Sequence, residues 1–171
     1  MAYADWLQTL AEIGLGFAGF SALIAGMRGQ DETPDLENSN RGRAVVETSL
    51  SVLFGCTVPV ILIGLGLAET TAFRIAGGLF LLVGAPLSAR GFHRAMAGRD
   101  RGRSMQPALA ILSFIAGAAG LGFSFACALG RPEAFVPTYY FGALIGILGI
   151  SAVNFAGFVF AINNDPAKDI D

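Results

Sequence analysis

The chain has 171 residues, of which 54% are hydrophobic and 14% charged, with a mean hydropathy of +0.62 and a formal net charge of −2. A water-soluble domain carries about 25% charged residues, so this surface is not built for water, and the acidic balance offers no basic face for nucleic acid. The charges are clustered and the stretches between them are nearly free of charge, the pattern of a chain that uses lipid as its solvent.

The N-terminus lacks the basic region of a cleavable signal peptide, since the first basic residue is Arg28. Five apolar segments then follow, at 6–27, 44–68, 73–89, 108–130 and 138–162. Each approaches the ~20 residues that a helix needs to cross a ~30 Å hydrocarbon core. The expectation is an all-α fold: a polytopic transmembrane helical bundle of five spans, forming a single membrane domain over 1–171. The third segment is the shortest, with Arg74 near one end and Pro86 near the other. A re-entrant third segment, leaving four spans, is the alternative.

Orientation follows from the basic residues. With five spans, nine of the eleven (Arg28, Arg41, Arg43, Arg90, Arg94, Arg99, Arg101, Arg103 and Lys168) fall on one side, and only Arg74 and Arg131 on the other. The positive-inside rule makes the first side cytoplasmic. The N-terminus is then outside, the C-terminus is cytoplasmic, and the loops 28–43 and 90–107 are cytoplasmic. Tyr3, Trp6, Tyr139 and Tyr140 fall near the outer interface, where amphipathic aromatics settle. Compactness and orientation together point to the inner membrane of a bacterium.

In segment one, Glu12 lies nine residues in from Tyr3, ~13 Å deep on a helix. An acid there is costly to bury in lipid and marks a functional candidate. Glu12, Gly16, Gly19, Leu23 and Gly26 follow alternating four- and three-residue steps, so they share one helical stripe. Three readings stay open: an ion or proton site, a packed acid that acts as assembly glue, or an interfacial acid if the helix starts later. Glu47 opens segment two one turn after Arg43, which reads as an i,i+4 ion pair, with the mouth of a pathway as the alternative. Pro59 removes a helix hydrogen bond from segment two. Asn154, well inside segment five, is an interhelical hydrogen-bonding candidate and a possible partner of Glu12.

The cytoplasmic cluster Arg90, Arg94, Arg99, Arg101 and Arg103 is an anionic-lipid candidate as well as a topology determinant. Its neighbour His93 is the single histidine. The acids of the first loop do not have the spacing of a calcium loop, so no metal site is expected. Segment four carries Ala118, Gly122, Ala126 and Gly130 at four-residue spacing, and segment five carries Gly142, Gly146 and Gly149 on one face. Such small-residue stripes allow close helix contact, within the chain or with another chain. The string Phe-Ala-Gly-Phe occurs at 17–20 and again at 155–158, a chance match in so Phe-, Ala- and Gly-rich a chain. Cys56 and Cys127 both fall in apolar segments and are expected to be free thiols.

No acid pair, nucleophile elbow or metal triad is present, so an enzyme is not expected, nor is a cofactor. The expected function is that of a small membrane subunit that assembles with itself or into a larger complex, with the lipid bilayer as its other partner. The alternative is an oligomeric ion channel or small-solute pathway that uses Glu12.

Overall fold

A computed structural model describes residues 3–27, 36–99 and 107–163. Among these the chain is helical, with five α-helices and no strand: α1 (Ala4–Met27), α2 (Leu36–Gly64), α3 (Glu69–Arg99), α4 (Pro107–Leu129) and α5 (Val136–Asn163). Successive helices alternate in direction. The ring of Tyr3 in the turn before α1 meets Phe73 at the start of α3 and Phe141 early in α5, which gathers these three helix starts at one end. Among the described residues, four stretches are long and apolar enough to cross a membrane: Ala4–Ile24, Gly42–Gly64, Ile111–Leu129 and Glu133–Gly157.

The third helix is not among those four. It is nonetheless one continuous helix that runs antiparallel to α4. Gly77 abuts Cys127, and Gly84 lies near Leu121. Pro86 is carried inside it.

Two boundaries differ from the sequence reading. The second helix begins at Leu36 rather than in the mid-40s, and α3 runs on to Arg99. Glu37 and Arg41 in the one, and Arg90, Arg94, Ala95 and Ala97 in the other, are good helix formers with no proline to stop them. Parts of the loops expected at 28–43 and 90–107 are therefore helical extensions. Residues 28–35 and 100–106, and with them Arg101 and Arg103, lie outside the described residues.

The connections are short. The second helix ends in a left-handed Gly66 (φ +89°), with the Gly66 N–H donating to the Ile63 carbonyl and the Leu67 N–H to the Leu62 carbonyl. That is a Schellman motif, and glycine takes the left-handed position without a side-chain clash. The fourth helix also ends in a left-handed glycine, Gly130 (φ +68°), whose N–H donates to the Ala126 and Cys127 carbonyls and over which the Arg74 guanidinium lies. A 3-10 turn at Glu133–Phe135 then leads into α5, where Pro137 occupies the first turn, which has no N–H to lose.

The core is built from Leu7, Leu10, Val52, Cys56, Phe73, Ala76, Cys127, Tyr140 and Leu144, while Phe54, Leu82, Val83, Phe114, Ile115 and Ile145 face outward. An apolar exterior of this extent suits lipid and would aggregate in water. Close backbone approach holds α4 to α5. A β-carbon at position 146 would lie 2.7 Å from the Gly120 Cα and 3.0 Å from the Ala116 carbonyl oxygen. Position 142 is pressed just as closely by the Phe123 ring, and position 149 meets the Ala116 Cβ at 3.3 Å.

Candidate functional site

The first helix packs onto α2 through Leu7, Leu10, Gly14, Ala18 and Ser21. A β-carbon on Gly14 would lie 3.1 Å from the Ser49 carbonyl oxygen. Positions 14 and 12 differ by about 200° around a helix. The Glu12 stripe is therefore on the opposite face, turned away from the bundle. Glu12, Gly16, Gly19 and Leu23 are all exposed, and a β-carbon at 16 or 19 would meet nothing within 4 Å. Gly26 lies in the last turn of α1.

The Glu12 carboxylate accepts a 2.9 Å hydrogen bond from the Gln8 amide one turn earlier. These two side chains form a polar patch on a membrane-length helix. Just past it is a shallow apolar groove lined by Ile13, Gly16, Phe17, Phe20 and Phe155. The Phe17 and Phe155 rings pack 5.6 Å apart, so the first residues of the two Phe-Ala-Gly-Phe strings meet.

The structure does not bring Glu12 and Asn154 together. Asn154 is half-buried beside Phe155, more than a turn further along the bundle than Glu12. Glu47 is exposed and pairs with Arg43 at 2.6 Å, with the two side chains 53% and 76% exposed. That is the i,i+4 pair that the spacing gives, at the surface of α2. The backbones of Arg90, Arg94 and Arg99 lie in the final turns of α3.

Segment four is used differently within the chain from its Ala118-to-Gly130 stripe. Ala118 and Gly122 face outward and Gly122 has nothing within 4 Å, whereas Ala126 is half-buried and Gly130 buried. The close approach to α5 runs instead through Ala116 and Gly120, with the Ser124 hydroxyl tied back to the Gly120 carbonyl at 2.9 Å.

Two polar links between α2 and α5 were not foreseen in the sequence. Ser151 sits 2.6 Å from Thr48 and accepts from Ser49 at 3.4 Å, while the Thr48 hydroxyl donates to the Ala44 carbonyl at 2.7 Å. Further along, the Tyr140 hydroxyl donates to the Gly55 carbonyl at 2.6 Å. Tyr140 is fully buried, so its ring faces the core of the bundle rather than its exterior. Its hydroxyl has a carbonyl to bond inside the core, as a buried tyrosine requires. Of the other aromatics, Trp6 is exposed, Tyr3 packs on Phe73, and Tyr139 stacks on Phe123. Cys56 and Cys127 are free and buried, and the Cys127 thiol donates to the Phe73 carbonyl at 3.2 Å.

No group of three or more metal-ligating side chains occurs among the described residues. The chain matches no known protein family, no curated protein and no solved structure.

Proposed function

We propose that this chain is a five-span membrane protein with its N-terminus outside, acting as a subunit that assembles with further copies or with a larger membrane complex through the outer face of α1. One observation carries the reading: Gln8 and Glu12 lie on the outward face of a membrane-length helix, followed by open backbone at Gly16 and Gly19. An acid exposed to hydrocarbon costs roughly 3 kcal/mol on insertion scales. Covering that face with another helix would replace lipid by hydrogen-bonding groups and let two backbones approach closely. The open Gly122 face of α4 is a further unoccupied close-approach surface.

The continuous α3 supports the five-span count, and the placement of the α2 start and the α3 end on the same side supports the orientation. The inner membrane of a bacterium remains the proposed location.

The test is subunit counting by single-molecule photobleaching in bilayers, comparing wild type with Glu12→Leu, Gly16→Leu and Gly19→Leu. Wild-type multimers that become monomers in these variants are expected. Monomers in wild type at every density would refute self-assembly, and retrieval of a membrane partner lost in the same variants would select the larger complex.

A second reading makes Glu12 a conduction group. Its outward position means that any pathway it lines runs between subunits, since the interior is filled by Phe73, Tyr140 and Leu144. Proteoliposome ion flux that is present in wild type and altered in Glu12→Gln would select this reading. Folded protein without flux would remove it.

A further inference from the structure

Proline 59 lies inside α2 and is buried there. It has no N–H, so the carbonyl four residues earlier loses its helical donor. That carbonyl belongs to Gly55, the one to which the Tyr140 hydroxyl donates. In lipid no water is available to satisfy a freed carbonyl, so a donor from a neighbouring helix replaces the missing bond.

Position 55 is equally constrained. A β-carbon there would lie 2.6 Å from the Phe80 ring and 2.7 Å from a Leu144 methyl. The tyrosine ring is itself held in place by Phe73 at 5.5 Å and Phe80 at 6.3 Å, both from α3. Gly55 and Pro59 thus concentrate the backbone freedom of α2 in one turn, and a single hydroxyl from α5 spans that turn.

We propose that Gly55–Pro59 is a hinge in α2 and that the Tyr140 hydroxyl is its latch. With the latch released, the segment from Pro59 to the Gly66 turn moves relative to the half of α2 that Thr48 and Ser49 tie to Ser151. The bond is made by the neutral phenol donating to a neutral carbonyl, and it is lost when that donor is removed.

Cys56, buried within the hinge segment, is a built-in reporter, and Cys127 on α4 is an internal control. The experiment is the rate of modification of each thiol by a membrane-permeant maleimide, resolved by peptide mass spectrometry. It uses the full chain in bilayers as wild type, Tyr140→Phe, Pro59→Ala and the Tyr140→Phe/Pro59→Ala double variant. Tyr140→Phe is expected to speed Cys56 labelling by about tenfold, the factor that loss of one buried hydrogen bond represents, with Cys127 unchanged. Pro59→Ala gives residue 59 an N–H to close on the Gly55 carbonyl, so in that background Tyr140→Phe is expected to change the Cys56 rate by less than about twofold. If Tyr140→Phe fails to accumulate, recovery in the double variant supports the latch, and failure of both overturns it. Unchanged Cys56 labelling, equal acceleration in both backgrounds, or parallel acceleration of Cys127 also overturns it.

Discussion

Glu12 shows how residue-scale chemistry depends on which way a helix faces. Its carboxylate is bonded to Gln8 on the same helix, which meets one acceptor and leaves the rest of the group outside the bundle. Buried hydroxyls behave differently. Ser151 reaches Thr48 and Ser49 on another helix, and the three form a short chain that ends at the Ala44 carbonyl. Interhelical hydrogen bonds of this kind contribute about 0.6 kcal/mol on average in membranes and up to about 1.7. Ser151→Ala is therefore expected to destabilise the bundle by about 1 kcal/mol, read as the midpoint of unfolding in mixed micelles; an unchanged midpoint would mean that Thr48 and Ser49 re-bond fully to their own helix. The Arg43–Glu47 pair is open to solvent on both partners. Exposed pairs contribute little, so Arg43→Ala should leave the same midpoint unmoved, and a clear drop would show that the pair has other partners in an assembly.

The fourth and fifth helices meet closely through their backbones, where small residues face each other. The α4–α5 contact is closest at Gly120 and Gly146: a methyl group on Gly146 has no room, and one on Gly120 would lie 3.3 Å from the Ala143 carbonyl oxygen. Gly146→Ala should cost about 1–3 kcal/mol by overpacking. Gly122→Ala, with open space around it, should stay within about 0.5 kcal/mol. The pair of melting curves checks both. Equal losses would mean that the α4 face used inside the chain is the one carrying Gly122. The four-residue spacing of small residues was readable in both segments, and on α5 the stripe lies at the contact with α4. On α4 two stripes were available, Ala116–Gly120–Ser124 and Ala118–Gly122–Ala126, and spacing alone does not choose between them.

At the scale of the whole molecule, five helices alternate in direction and the basic helix ends fall together. The Arg41–Arg43 start of α2 and the Arg90–Arg99 end of α3 lie at one end of the bundle, opposite Arg74 and Arg131. Single cysteines placed by Glu133→Cys and Lys168→Cys test the resulting topology in intact cells, because the native thiols are buried. An impermeant maleimide should label position 133 and not position 168. Labelling of both, or of 168 alone, would invert or break the five-span arrangement.

Composition and the length of the apolar segments determined that this chain is helical and apolar outside, since in lipid a helix bonds its backbone groups within its own segment, and ~20 apolar residues in a row suit a helix rather than a shorter barrel strand. Local spacing determined the Arg43–Glu47 pair, and Pro59 determined that the Gly55 carbonyl would need a donor. Tertiary structure decided the rest: that Gly14 rather than Gly16 faces α2, that Tyr140 is the donor, and that Glu12 points outward. The reason is the solvent. In water, a polar face and an apolar face tell a helix which way to turn. In lipid both faces are apolar, and the inward one is chosen by how closely the backbones fit.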